Sequence, residues 1–167
     1  MKREQNHGIT LISLVITIII LIILAGITVY NGTSTIKKAS LEEVRTNLLL
    51  IQAKAREYVE EANFKMGPSP EESKRQEVRK EIYETKAKLT KSVQNGSIPS
   101  KIPVSDCYTL TEEALTEWGL NKIELKTDEF YLIQFDDTNA IVEVFYSKGY
   151  DDNGVIKYSL TEIDKIK

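Results

Sequence analysis

The side chains that most often carry out chemistry are scarce in this chain. His7 is its one histidine and Cys107 its one cysteine. A lone cysteine excludes an intrachain disulfide framework and a cysteine-based zinc cluster. A His-assisted serine, cysteine or metal site needs an imidazole inside a folded domain, and His7 belongs to a short polar segment, residues 1–8, at the start of the chain. No G-x-x-x-x-G-K-[ST] occurs, so there is no nucleotide-hydrolysing P-loop. Carboxylates gather in two stretches, Asp136-Asp137 and Asp151-Asp152-Asn153, whose oxygens could bind Ca²⁺. The EF-hand spacing is absent, and Asp, Asn and Gly are ordinary hairpin residues. Asp151 and Asp152 therefore stand only as metal candidates, and no metal or cofactor is expected. Asn31-Gly32-Thr33 and Asn95-Gly96-Ser97 fit the short glycosylation pattern, and Cys107 reads as a small buried apolar residue. The side-chain inventory points away from an enzyme.

What the chain has in abundance is apolar surface, concentrated at one end. From Gly8 to Ile36 there is no Asp, Glu, Lys or Arg. Within that stretch Ile9–Tyr30 reads ITLISLVITIIILIILAGITVY, 22 residues in which only Thr10, Ser13, Thr17, Thr28 and Tyr30 carry polar side-chain atoms. At about 1.5 Å per residue, a helix of this length matches the roughly 30 Å hydrocarbon core of a bilayer. Its β-branched residues favour strand in water, but a single segment in lipid must satisfy its backbone internally, which selects helix. A secretory signal peptide would have a shorter apolar core and an A-x-A-like site, which Leu24-Ala25-Gly26-Ile27-Thr28 does not offer. A lipoprotein would need a cysteine just past the run. An uncleaved signal anchor fits the length and hydropathy. Lys2 and Arg3 favour a cytoplasmic N-terminus, although Lys37 and Lys38 lie just beyond the other end.

The order of residues at the head of the run adds to this. Gly8-Ile9-Thr10-Leu11-Ile12-Ser13-Leu14, after a short basic leader and before an unbroken apolar stretch, resembles the prepilin cleavage and methylation motif of type IV pilins and type II secretion pseudopilins. The resemblance covers residues 1–30 closely and continues in pattern to about residue 64. It implies cleavage between Gly8 and Ile9 by a prepilin peptidase, N-methylation of Ile9, and a filament-core helix over 9–30 to which Leu11, Leu14, Leu21 and Leu24 contribute. The implied partners are other pilin or pseudopilin subunits, membrane lipid, an assembly platform membrane protein and its ATPase. Two positions depart from the family pattern. Ile9 stands where Phe is usual, and Ser13 stands where a Glu usually neutralises a neighbour's N-terminal amine. A hydroxyl is cheaper to bury than a carboxylate but cannot form that ion pair. Loss of the Glu points to a minor rather than a major subunit. Some pseudopilins bind calcium in a C-terminal loop, which keeps Asp151 and Asp152 in view.

The remaining elements must carry this helix and present a domain beyond it. Asn31–Thr35 is a polar joint, either a helix interruption or an interfacial turn. Leu41, Val44, Leu48, Ile51, Ala55, Tyr58 and Ala62 then recur at spacings of three and four, with Glu42, Glu43, Arg45, Lys54, Arg56, Glu57 and Glu60 on the opposite faces. That is an amphipathic helix with one apolar stripe, continuing the long helix over 31–66. Gly67-Pro68 stops it. Ser69-Pro70-Glu71-Glu72 reads as the start of a second helix, with Ser69 as N-cap and Pro70 at N1, ending at Asn95-Gly96, so that 67–96 forms the second helix of a hairpin.

Residues 97–167 read as a small C-terminal α+β domain. Ile98-Pro99 and Ile102-Pro103 mark an extended stretch. Tyr108-Thr109-Leu110-Thr111-Glu112 leads into a short helix that should stop at Gly119, and Tyr158-Ser159-Leu160-Thr161-Glu162 repeats that entry, with Thr at the N-cap in both. Strands are expected at Phe130–Phe135, Ala140–Tyr146 and Val155–Tyr158, with Tyr131, Ile133 and Phe135 on one face and Val142, Val144 and Tyr146 likewise. Asp136–Asn139 and Asn153-Gly154 make the turns. Such an antiparallel β-meander needs a helix against it, and the 41–62 stripe supplies one. The expected class is α+β, pilin-like: a long helix, a second helix, and a small meander packed on the first.

Residues 37–94 carry 13 Lys+Arg against 10 Asp+Glu, net +3, and residues 95–167 carry 7 against 14, net −7. Positive charge spread over mixed-sign helices is not a nucleic-acid patch, so no nucleic acid is expected as a partner. A basic helical layer and an acidic sheet layer could steer subunit on subunit. The expected role is a structural subunit of a type IV pilus or type II secretion pseudopilus. It would sit in the cell membrane as a single-pass protein with a cytoplasmic N-terminus, then move into an extracytoplasmic filament. The other reading is an uncleaved, single-pass membrane-anchored protein with an extracytoplasmic binding domain.

Overall fold

The computed structural model describes residues 7–68, 71–92, 98–103, 107–126, 128–136 and 141–166, and in the apolar run it describes the side chains of Leu14 and of 16–22. The architecture is α+β. Helix α1 runs His7–Met66, α2 spans Glu72–Lys80 and passes into a π-helical turn, Glu81–Lys86, and four short segments complete the helical part and the sheet edge: β1 (Thr90–Lys91), β2 (Cys107–Leu110), α3 (Glu112–Glu117) and α4 (Leu160–Ile163). The remaining strands are β3 (Tyr131–Asp136), β4 (Ile141–Asp152) and β5 (Val155–Ser159). The chain divides into two compact units, Met1–Glu42 and Glu43–Lys167.

In the first unit the backbone is helical from His7 onward, and Asn31–Thr35 does not interrupt it. The polar joint is a stretch of helix.

In the second unit α1 supplies the stripe that its periodicity predicts. Leu48, Ile51, Ala55 and Ala62 are fully buried and Val59 nearly so, while Val44 and Tyr58 are half-buried at its margins. These residues cover one face of a five-stranded antiparallel meander of order β1-β2-β3-β4-β5. The register sets Tyr131 opposite Tyr146, Ile133 opposite Val144 and Phe135 opposite Val142, so the faces read from alternation are cross-strand partners. Gln52 Nε2 donates to the Val142 carbonyl at 2.8 Å, tying the helix to the central hairpin. The opposite face is also covered: Cys107, Leu132 and Phe145 pack with Ile102, and Ile98, Phe130 and Tyr158 lie against them. Residues 98–103 are therefore a lid on the sheet. They turn, with Ile102 N donating to the Pro99 carbonyl at 3.0 Å, where the prolines suggested an extended stretch.

The second helix differs from its expected bounds. It begins after Glu71, the N-cap residue, and it is over by Lys86, because Thr90–Lys91 pairs with Thr109 and Tyr108 as the edge strand β1. Ser69, Pro70 and Asn95-Gly96 lie outside the described residues. The π-turn has a packing reason. An extra residue per turn rotates the helix face, so that Ile82 and Tyr83, adjacent in sequence, both reach the core. Tyr83 stacks on Phe135 with ring centroids 4.1 Å apart, and Tyr108 meets both rings edge-on. The turn closes as Ala87 N donates to the Ile82 carbonyl at 2.8 Å. Helix α3 then docks on it: Trp118 Nε1 donates to the Ala87 carbonyl at 3.0 Å, and Thr111 Oγ1 to the Lys88 carbonyl at 3.1 Å.

The repeated entry Tyr-(Thr/Ser)-Leu-Thr-Glu is used in two frames. In α3 the cap is Thr111, accepting from Ala114 N, and Gly119 (φ +69°) ends the helix as expected. In α4 the cap is Ser159, two places earlier in the pattern, in a reciprocal capping box with Glu162. Thr161 is inside the helix, and its hydroxyl and backbone N–H both go to the Glu143 carboxylate.

Candidate functional site

Two places combine the sequence candidates, and the first is the apolar part of α1. Gly8, Ile9, Leu11, Ser13 and Leu24 lie on helical backbone, and their side chains are outside the described residues. Among the described side chains, Leu14 and Leu21 are exposed. So are Ile16, Ile18, Ile19, Ile20 and Ile22, and the apolar residues from 16 to 22 are all between 47 and 66 % accessible. At 100° per residue these positions encircle the helix, so among the described side chains of this stretch there is no polar face to turn toward water. Thr17 fits this surface because its hydroxyl donates to the Leu14 carbonyl at 2.8 Å, satisfying the group inside the helix itself. Among the described residues no helix is long and apolar enough to cross a membrane. The chemistry available here is burial alone: a surface that gains about 25 cal/mol per Å² wherever lipid or other apolar helices cover it.

The second place is the β4–β5 turn. Asp152 and Val155 flank Asn153-Gly154, whose φ values of +53° and +88° make the two-residue primed turn that the Asn-Gly pair demands. Asp151 Oδ1 accepts from Gly154 N at 2.6 Å, and Asp152 Oδ1 from Asn153 Nδ2 at 3.0 Å. Both candidate metal ligands hold the turn. Among the described residues no group of three or more His, Cys, Asp or Glu side chains converges to hold a metal. Asp137 lies outside those residues.

Two arrangements were not visible from spacing. Arg45 reads as a solvent-facing residue of α1, yet its guanidinium is part-buried. Its Nη2 donates to the carbonyls of Ile163 at 3.2 Å and Ile166 at 2.8 Å, and its Nε is 3.5 Å from Asp164 Oδ1. A cation thus meets the carbonyl end of α4, where the helix dipole favours it. The only signal in the sequence was position: Arg45 falls next to the stripe residue Val44 rather than opposite it. The other arrangement is a tyrosine pair, Tyr131 and Tyr146, stacked at 5.2 Å. Burial, the Glu129 charge and a hydrogen bond to that carboxylate push the Tyr146 phenol far above its ordinary value. Burial also raises Tyr131, with a hydrogen bond from Asn47 working the other way. Both phenols stay protonated at neutral pH; that of Tyr146 donates to the Glu129 carboxylate, and that of Tyr131 accepts from Asn47.

No family model, no curated protein and no solved structure matches this chain.

Proposed function

We propose that this chain is a pilin-like structural subunit, minor rather than major, of a type IV pilus or type II secretion pseudopilus. Its precursor enters the cell membrane through residues 9–30 with the N-terminus cytoplasmic. A prepilin peptidase cuts after Gly8, and Ile9 becomes the methylated N-terminus. The helix then leaves lipid for the company of like helices in an extracytoplasmic filament, drawn by a platform protein and its ATPase. The domain made by residues 43–167 remains outside, and no catalysis is assigned to it. Leu11, Leu14, Leu21 and Leu24 serve as filament-core contacts, and Ser13 leaves the usual ion pair unmade.

The observation that carries the reading is a conjunction. A helix whose described side chains over residues 14–22 are apolar on every side is headed by Gly8-Ile9-Thr10-Leu11, and its later residues form the spine of an α+β domain. The test is intact mass and N-terminal sequencing of the protein extracted from its native membrane. A chain beginning at Ile9 with one added methyl group is expected. A chain still beginning Met-Lys-Arg, in cells whose peptidase processes other substrates, overturns the reading and leaves an uncleaved membrane-anchored binding protein.

A further inference from the structure

The β4–β5 turn requires two residues at positive φ, and the chain places Asn153 (φ +53°) and Gly154 (φ +88°) there. The same pair is a chemical weak point. Asparagine is a thermolabile residue, because the backbone nitrogen that follows it can attack its side-chain amide. Glycine leaves that nitrogen unshielded. Asn153 and Gly154 are both exposed, and a Cβ on Gly154 would meet no atom within 4 Å, so water reaches both residues. Of the other two Asn-Gly pairs, Asn31-Gly32 lies on the helical backbone of α1, and Asn95-Gly96 is outside the described residues.

The attack needs two events. The Gly154 nitrogen must lose its proton, and Asn153 Cγ must come onto that nitrogen. In the fold both groups are held by their neighbours. Gly154 N donates to Asp151 Oδ1 at 2.6 Å, a bond strengthened by the acceptor's charge. Asn153 Nδ2, the group that would leave, donates to Asp152 Oδ1 at 3.0 Å. A carboxylate is far too weak a base to remove a backbone amide proton, so Asp151 stabilises the N–H form and opposes the attack. The two aspartates flank the same short turn but restrain different atoms of the reaction.

We propose that Asn153-Gly154 is a spontaneous modification site, a succinimide-forming pair, and that Asp151 sets its rate by holding the Gly154 nitrogen. The bond that forms joins Gly154 N to Asn153 Cγ. The Cγ–Nδ2 bond breaks, and Nδ2 leaves as ammonia, taking up through water the proton that Gly154 N has lost. Water then opens the imide at either carbonyl and gives aspartate or isoaspartate at position 153, so that one water enters and one ammonia leaves. Isoaspartate lengthens the backbone by a methylene in a turn whose flanking pair, Asp152 and Val155, leaves no residue to spare. Either product adds a third carboxylate beside Asp151 and Asp152, and like charges so close repel. The proposal is independent of the subunit reading.

The test is peptide mapping of the full chain in detergent after ageing in warm, mildly alkaline buffer. Chromatography and mass separate the aspartate and isoaspartate products at 153 from the unchanged peptide, and the urea-unfolded chain supplies the unprotected rate. Folded parent is expected to convert about tenfold or more slowly than the unfolded chain. Asp151→Ala should recover most of that factor while the Trp118 unfolding transition stays in place. Asp151→Asn keeps an acceptor oxygen and should stay near the parent rate. Asp152→Ala frees only the leaving amide and should give a smaller acceleration than Asp151→Ala. Asn153→Gly, which tolerates the positive φ, should abolish the mass change in this peptide. A folded Asp151→Ala variant that converts no faster than the parent overturns the proposal, and so does a parent that converts at the unfolded rate. Equal acceleration by Asp151→Ala and Asp152→Ala also overturns it, because looseness of the tip would then be the cause.

Discussion

Residues 16–22 of α1 and the central strands of the sheet are built from the same β-branched residues, yet they end in opposite states. Ile16, Ile18, Ile19, Ile20 and Ile22 are helical and exposed, while Ile133, Val142 and Val144 are extended and fully buried. Side-chain type does not explain the difference. In the strands the apolar residues alternate with Gln134 and Glu143, so each strand has a face to give to α1 and a residue type to spare for the other. In residues 16–22 of the helix Thr17 alone interrupts them, and the described apolar side chains surround the axis. The sheet unit closes its own core, whereas the described apolar side chains of residues 16–22 are exposed.

That contrast can be broken or sharpened by substitution. Ile133→Ala should cost the second unit about 3–4 kcal/mol through a cavity in a fully packed site, whereas Ile19→Ala should leave its unfolding unchanged within about 0.5 kcal/mol. Denaturant unfolding of the full chain in detergent, followed by Trp118 fluorescence, reads both. Under the proposed membrane insertion of residues 9–30, Leu21→Arg should do the converse: about 2.5–3.5 kcal/mol lost in insertion, seen as protein moving to the soluble fraction, with the same Trp118 transition retained.

Arg45→Met should cost about 1.5–3 kcal/mol, because a charged donor is lost from two carbonyls at the end of α4. Faster amide exchange across Leu160–Ile163 than across β3 would show that the loss is local. The smallest effect is a pH dependence. The Tyr146 phenol is raised in the folded state above its ordinary value of 10.0, so its contribution is fully present below that pH. It declines as pH rises further, because the unfolded chain releases a proton that the folded chain retains. Tyr146→Phe should flatten the fall in Tm between about pH 9.5 and 11.5 relative to the parent. Equal slopes in parent and variant would remove Tyr146 as the cause.

What was legible in the sequence follows from which interactions are local. The stripe from Leu48 to Ala62, the Asn153-Gly154 turn, the Gly119 stop and the pairing faces of β3 and β4 all rest on spacing within a few residues, and spacing is what a sequence displays. The strands β1 and β2 were missed because each has so little alternation to show, at two and four residues. By pattern Thr90–Lys91 reads as the end of a helix and Cys107–Leu110 as the lead-in of another. The frame of the second Tyr-Ser-Leu-Thr-Glu entry was misjudged because Ser159 and Thr161 are both competent caps, and only the position of β5 chooses between them. The Arg45 contact and the Glu129–Tyr146 hydrogen bond depend on how distant segments dock, and nothing nearby in the chain encodes them. Of the candidate site, the apolar helix was plain from composition, while the acidic turn was located correctly but its carboxylates are engaged by the turn itself.

The reach of Arg45 has a consequence for the order of events in synthesis. Its partners Ile163 and Ile166 lie 118 and 121 residues further along the chain. Residues 9–30 leave the ribosome early and can seek their surroundings at once, but the spine that follows them waits for residues 163–166 to be translated before its guanidinium finds an acceptor. A ribosome-bound chain thus presents the apolar segment well before the domain of residues 43–167 can lock. Trimming even the final turn of α4 would leave that domain with the unlatched spine of an unfinished chain.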